Sequence, residues 1–255
     1  MGGPHPSRSA RSVGHVNHTA IYLALMLGLC ASWFFTGRRR IVVGAATLLV
    51  LVGLFVAASR AGVAVGLLTL AVLAAAWWRR SRLPMALAAA VLVMSAVVAG
   101  LGGAEVFERH EANVHAGNTL AYRDRAWSLA LRTWQQHPLF GVGMDNFALV
   151  SREQKGDRYA SLFPHGHSLY LNSLAERGVV GVLPLAAVLI AWPVWLVRRR
   201  PRPSDGDYDW LLWGAAAGAW LVTVLAGLVN TTLHHEHGLL AAIFLGLWLA
   251  RAHRR

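Results

Sequence analysis

The sequence predicts an all-α, polytopic integral membrane protein with about seven transmembrane helices and a helical loop outside the membrane. The first observation is composition, because 56% of the 255 residues are apolar and the mean hydropathy is +0.45. The second is that the apolar residues form several runs of about 18 or more, the length at which a helix crosses a bilayer. The third is that arginines lie between these runs. Together they favour one membrane domain over two soluble ones.

The apolar runs divide the chain into four segments. Residues 1–18 are polar and lack periodicity, so we expect no packed element there. Residues 19–104 hold four predicted transmembrane helices, at 19–35, 41–58, 61–78 and 83–104. A polar loop at 105–166 follows. Residues 167–255 hold three more predicted helices and a basic C-terminus, with the helices at 167–197, 210–229 and 238–250.

Within the polar loop, residues 120–137 have helical spacing. Trp127, Leu131 and Trp134 fall on one stripe of that helix. The stripe predicts a helix lying at the membrane surface, with its aromatic side chains at the interface. The glycines at 141–143 predict a turn after it.

Basic residues provide a test of this topology. The formal net charge is +12, and most arginines stand between apolar runs, where they act first as topology determinants. The arginine clusters fall on alternate connections, at 38–40, 79–82, 198–202 and 251–255. We therefore expect these connections to be cytoplasmic. The segments at 59–60, 105–166 and 230–237 then share the outer face, and the polar candidates for a site converge there.

Polar residues gather where the fifth run begins. His165 and His167 lead directly into an apolar helix, and such residues at a membrane helix are costly unless they are used. From His167 to Gly181 the chain follows the pattern His-Ser-x-x-Leu-x-x-x-x-Glu-x-Gly-x-x-Gly. Two further stretches are Ser59-Arg60-Ala61-Gly62, and Arg123-x-x-x-Trp127 leading to Pro138-Leu139-Phe140-Gly141-Val142-Gly143-Met144-Asp145-Asn146-Phe147. In this combination and order, over roughly residues 40–195, they resemble the O-antigen ligase and O-antigen polymerase superfamily of bacterial membrane glycosyltransferases.

The resemblance implies an activity and a location. A glycan would be transferred from a polyprenyl-diphosphate carrier to an acceptor hydroxyl, such as that of lipid A core, without a metal or another cofactor. The protein would be a multi-pass inner-membrane protein whose active face and loop are periplasmic. Members usually have about a dozen spans, so the chain looks like the C-terminal part of one. An O-antigen polymerase, a protein O-oligosaccharyltransferase, an inactive truncated lipid-binding remnant and a transporter remain alternatives.

Five residues are candidates for the site under this resemblance. His167 matches the motif histidine and is the expected base, since imidazole titrates near neutral pH; the alternative is a histidine that only caps or packs. Arg60 and Arg123 are expected to hold the diphosphate, because a guanidinium fork binds phosphate oxygens in pairs. The alternatives are a snorkelling Arg60 and a solvated Arg123. His165 and Arg125 are secondary substrate-binding candidates.

Several neighbouring residues are given structural roles instead. Glu176 follows His167 by nine residues, which is half a turn out of phase on a regular helix, so we expect an ion pair or packing rather than a dyad. The spacing of Gly178 and Gly181 predicts close approach of another helix. Pro184 and Pro193 are the expected positions of kinks.

A metal site is not expected. The histidines and glutamate at 234–237, with His165 and His167, have spacings that permit metal binding without indicating it. Polar lining of the outer face is the simpler interpretation. The single cysteine, Cys30, excludes an intrachain disulfide.

Overall fold

The computed structural model describes residues 16–57, 59–77, 120–153, 163–233 and 236–254, and every regular element in these ranges is an α-helix. The helices are α1 (Val16–Thr36), α2 (Arg40–Val56), α3 (Arg60–Trp77), α4 (Leu120–Gln136), α5 (Phe147–Glu153), α6 (Leu169–Arg198), α7 (Asp207–Gly227) and α8 (Glu236–Ala252). The all-α prediction is confirmed for these ranges. The run predicted at 83–104 lies outside the described residues.

Within the described residues, three helices are long and apolar enough to cross a membrane. They are Asn17–Thr36 within α1, Leu169–Arg198 and Asp207–Gly227. Two further helices, Arg40–Val56 and Ala61–Trp77, are apolar but shorter. The helix over the seventh predicted run, α8, has 17 residues. These findings support a helical membrane protein, while the total of seven spans stays a prediction.

The main bundle is centred on α1 and α7. These helices approach closely where Gly28 faces Gly218, because a Cβ added to Gly28 would lie 3.4 Å from the Gly218 Cα. Small residues at such crossings let membrane helices pack backbone to backbone. The helices α3, α8 and the second half of α6 surround this pair, and tryptophans from α3, α6, α7 and α8 fill the core: Trp77, Trp192, Trp210, Trp213 and Trp248.

One end of the bundle carries the described basic clusters. Arg251 at the end of α8 forms an ion pair with Asp209 at the start of α7, with 2.7 Å between Nε and Oδ1. Arg200, just beyond α6, donates a hydrogen bond to the carbonyl of Ala76 near the end of α3. The ring of Phe35 near the end of α1 lies 5.6 Å from that of Trp77, so the arginines that follow α1 belong to the same end.

The opposite end gathers uncharged polar groups and histidines. The Ser59 hydroxyl, just before α3, donates to Asn17 Oδ1 on α1 at 3.1 Å. The rings of His18 and His237 lie 5.9 Å apart, which brings the start of α8 to the same place. Ser168, before α6, donates to the carbonyl of Gly227 at 3.4 Å. The described parts of the segments that were predicted to share one face therefore lie at one end of the bundle.

A second, smaller core lies beside this polar end. The helices α4 and α5 pack on the first half of α6, and the buried side chains are Ala126, Leu129, Ala130, Phe147, Phe163 and Ala175. The helix predicted at 120–137 is confirmed as α4. Its stripe of Trp127, Leu131 and Trp134 is not the buried face, since both tryptophans are half-buried and Leu131 is 42% exposed.

The helix α6 is broken at Gly178. This residue has φ 61° and ψ −169°, outside the helical region, and the helix resumes after it. Gly178 is the only position inside α6 with non-helical φ and ψ, and the kinks at Pro184 and Pro193 stay predictions. Among the described residues, the closest backbone to Gly178 is that of Leu139 and Phe140, in a loop and not in the second helix that the glycine spacing predicted. A Cβ there would instead collide with the carbonyl of Leu139.

The segment that passes across this break is residues 138–143, here called the crossing loop. A broken helix leaves carbonyls at the end of its first half and N–H groups at the start of its second half without intrahelical partners. The crossing loop supplies both kinds of partner. Its N–H groups donate to the first half and its carbonyls accept from the second, through Val142 N–Ala175 O (3.0 Å), Gly143 N–Glu176 O (2.9 Å), Val179 N–Pro138 O (2.9 Å) and Val180 N–Leu139 O (3.1 Å).

Candidate functional site

The two candidate histidines lie side by side in the turn that precedes α6, residues 163–168, here called the histidine loop. The ring centroids of His165 and His167 are 4.3 Å apart. Tyr122, from the first turn of α4, places its ring 5.3 Å from His167 and 4.7 Å from Phe163. The structure therefore brings His165 and His167 together against the start of α4.

His167 has a left-handed backbone, with φ 48°. Residues other than glycine rarely adopt this region, and a protein keeps one there only when its surroundings enforce it. One contact that holds His167 is from α4, because the Trp127 indole donates a hydrogen bond to the His167 carbonyl at 3.2 Å. The motif tryptophan thus fixes the motif histidine, although they are 40 residues apart.

Asn172, in the first half of α6, is hydrogen-bonded to the histidine loop. Its side-chain carbonyl accepts a hydrogen bond from the N–H of Gly166 at 2.7 Å, and its amide donates to Glu176 Oε2 at 3.0 Å. Glu176 is 2% exposed and Asn172 is 5% exposed. Glu176 is therefore linked to the histidine loop through Asn172.

The start of α6 is also fixed to α7. Ser168 is the N-cap of α6, and its hydroxyl accepts from the N–H of Leu171 at 3.5 Å. The Tyr170 hydroxyl donates to the carbonyl of Val224 at 3.0 Å. Because α7 is a central helix of the main bundle, these contacts set the height of the histidine loop relative to that bundle.

The predicted arginines of α4 differ in their surroundings. Arg123 is half-buried, and burial lowers the pKa of its guanidinium. An arginine remains charged at neutral pH even so. A partly desolvated cation attracts an anion more strongly than one in water does. Arg125, two residues on, is exposed. Arg123 follows Tyr122, which contacts His167, so it is the arginine of α4 closest in sequence to the histidine contact.

Arg60 begins α3 at the polar end of the bundle. Its neighbour Ser59 is 5% exposed and binds α1 through Asn17, while the N–H of Gly62 donates to the Ser59 hydroxyl at 3.2 Å. A Cβ added to Gly62 would lie 2.5 Å from that of Ala20. The Ser-Arg-Ala-Gly motif is therefore a tight helix start against α1, and it places the Arg60 backbone at the same end as the histidine loop.

Sequence reasoning missed three features of this site. The roles of Asn172 and Tyr122 depend on contacts with the histidine loop that no spacing encodes. A partial signal existed, because Asn172 and Glu176 stand four apart and can meet on one helix face. The third feature is Arg177, whose Nε is buried and has no hydrogen-bond partner in the part of the chain that the structure describes.

Metal binding has no support within the described ranges. There, no group of three or more histidine, cysteine, aspartate and glutamate side chains is arranged to hold an ion. Two of the four residues at 234–237 that raised the possibility, His234 and His235, lie outside those ranges.

Comparisons with known proteins place the chain. No curated protein matches it. A family model described as O-antigen ligase matches residues 45–186, more than half of the chain. That range holds the start of α3, the pair of helices α4 and α5, the crossing loop and the histidine loop. The features that form the site are thus the ones that the family model covers, and this chain belongs to the O-antigen ligase family of membrane proteins.

Proposed function

We propose that this protein is a glycosyltransferase that moves a glycan from a polyprenyl-diphosphate carrier to an acceptor hydroxyl, such as that of lipid A core. The family implies an enzyme of the glycosyltransferase type with a lipid-linked glycan as one partner. The observation that carries the proposal is His167, held in a left-handed conformation by α4 beside the helix that bears Arg123.

The reaction makes and breaks one bond at the anomeric carbon of the transferred glycan. The acceptor oxygen attacks this carbon, and the bond from the carbon to the diphosphate oxygen breaks. The acceptor proton passes to the His167 imidazole, which is suited to take it near neutral pH. The diphosphate leaves with the electron pair of the broken bond and an added negative charge.

The arginines have the task of stabilising that charge. Arg123 and Arg60 would bind the diphosphate oxygens, since a guanidinium forms paired charge-assisted hydrogen bonds to phosphate. The half-buried position of Arg123 supports this role over that of the exposed Arg125. His165, whose ring lies 4.3 Å from that of His167, is placed to contact the acceptor or the donor sugar.

The charge distribution supports the membrane location that we propose. Arginines concentrate at the end of the bundle opposite the histidine loop, and basic segments stay on the cytoplasmic side. The site would therefore face the periplasm of a bacterial inner membrane, where an acceptor outside the cytoplasm can reach it.

The test is complementation of a bacterium that lacks its O-antigen ligase, with glycan-bearing lipopolysaccharide measured on a gel. We expect the unaltered chain to restore transfer and His167→Ala to reduce it by about 100-fold or more. His137→Ala is the matched control, because His137 is an exposed histidine at the end of α4, away from the histidine loop. We expect that variant to retain transfer at equal membrane levels. Equal transfer by His137→Ala and His167→Ala would remove His167 from the mechanism.

The arginine assignment is tested in the same assay. Arg123→Gln should lose most of the transfer and Arg123→Lys should retain more of it, because lysine keeps the charge but not the paired geometry. Arg132→Gln is the control, since Arg132 is exposed on the same helix.

A further inference from the structure

The tip of the crossing loop exposes two large apolar side chains. Leu139 is 60% exposed and Phe140 is 71% exposed. Leu139 lies directly over the break in α6, because its carbonyl accepts the N–H of Val180 and lies against the Gly178 Cα. The backbone of the loop tip is therefore bonded to the start of the second half of α6, where Val179 and Val180 are themselves exposed.

The break divides α6 into halves of different character. The first half, residues 169–177, buries polar side chains such as Asn172, Ser173 and Glu176. In the second half, residues 179–198, apolar side chains dominate the exposed face, including Leu183, Val188, Ile190 and Val197. That half rises roughly 30 Å at 1.5 Å per residue, which is the thickness of the hydrocarbon core of a bilayer. The exposed arginines from Arg198 onward mark its far end.

This length places one membrane boundary at the break itself, at the level of the crossing loop. A backbone can lie against lipid only when its polar groups are bonded within the protein. Four backbone groups of the crossing loop meet this condition through their hydrogen bonds across the break. His137 before the loop and Asp145 after it are exposed and polar, while Met144, between the loop and Asp145, is exposed and apolar like the tip.

From these observations we infer that the crossing loop is a membrane anchor. Leu139 and Phe140 insert into the bilayer at the boundary between the headgroups and the acyl chains, on the side of the histidine loop. Phospholipid is the partner, because the apolar tip continues the lipid-length apolar face of α6 and carries no charged residue. The four hydrogen bonds then hold the smaller core, and with it the histidine loop, at a fixed height above the membrane.

The inference is tested with nitroxide labels on the full chain in phospholipid vesicles. Phe140, Leu183 and Asp124 are each replaced by cysteine in a separate Cys30→Ala variant and labelled with the nitroxide. For each variant, the collision rate of the nitroxide with oxygen is compared with its collision rate with a nickel chelate. Leu183 is exposed within the second half of α6 and Asp124 is exposed on α4. We expect the oxygen-to-nickel ratio at Phe140 to exceed that at Asp124 several-fold and to approach that at Leu183, because oxygen concentrates in lipid while the chelate stays in water.

Two results would overturn the inference. A ratio at Phe140 equal to that at Asp124 would place the loop in water. Low collision with both reagents would mean that protein, either another part of the chain or a second copy, covers the tip. Leu139→Cys is the second position if the Phe140 variant does not fold, and a single symmetric peak in size-exclusion chromatography establishes folding for each variant.

Discussion

His167 combines a candidate chemical role with a strained backbone, and the two can be separated. Asparagine tolerates the left-handed region better than alanine does, but its side chain cannot accept a proton at neutral pH. We expect His167→Asn to keep the melting temperature of the purified protein and to lose transfer. His167→Ala should lose transfer and also about 1 kcal/mol of stability. Thermal unfolding in detergent together with the complementation assay checks both. Transfer by His167→Asn at the unaltered level would contradict the role as base.

Asn172 is the link between a buried carboxylate and the histidine loop. Asn172→Ala leaves the N–H of Gly166 and one oxygen of Glu176 without this partner, and each unsatisfied buried group costs about 1–3 kcal/mol. We expect a lower melting temperature and a loss of transfer that exceeds the loss of folded protein, because the histidine loop moves. Gln135→Ala, at an exposed position on α4, is the control and should change neither quantity. An unchanged melting temperature for Asn172→Ala would show that the two hydrogen bonds of Asn172 do not stabilise the fold.

At the residue scale, the sequence motif identified His167 but not what holds it. The histidine, its following serine and the glycines form a linear pattern that can be read along the chain. The contacts of Trp127 and Tyr122 with the histidine loop span about 40 residues, and they depend on how α4 packs against α6. Arg60 and Arg123 stay predictions as ligands of a diphosphate.

The break in α6 is the element on which the smaller core depends, and one glycine substitution tests it. Gly178→Ala puts a Cβ at positive φ and against the Leu139 carbonyl, so the crossing loop has to move. We expect a loss of more than about 2 kcal/mol of stability. Gly246→Ala is the matched control, because Gly246 lies within α8 and a Cβ there would meet nothing within 4 Å. That variant should be neutral or gain up to about 1 kcal/mol. Equal melting temperatures for the two variants would contradict the close packing of the crossing loop against Gly178.

Element boundaries in the described ranges followed from apolar runs and arginine clusters, whereas the break did not. The rules that place kinks in helices point to proline, and α6 contains two prolines. The break lies at Gly178 instead because the crossing loop replaces the hydrogen bonds that the helix loses there. That partner comes from 33 to 41 residues earlier in the chain, so no local pattern could indicate it. The glycines at 141–143 and those at 178–181 are far apart in the sequence. In the structure they belong to one unit, the crossing loop and the break in α6 that it bonds to.

At the scale of the whole molecule, the separation of basic and polar ends fixes the expected orientation. Membrane proteins keep arginine-rich connections in the cytoplasm, so the end with Arg200 and Arg251 should face inward and the histidine loop outward. The prediction is tested with cysteines at exposed positions of the two ends, Gln135→Cys on α4 and Ser204→Cys between α6 and α7, each with Cys30→Ala. A membrane-impermeant maleimide should label Gln135→Cys in cells with a permeable outer membrane and an intact inner membrane. It should label Ser204→Cys only after lysis. The reverse pattern would place the histidine loop in the cytoplasm, away from an acceptor on the outer face, and would contradict the proposed reaction along with the orientation.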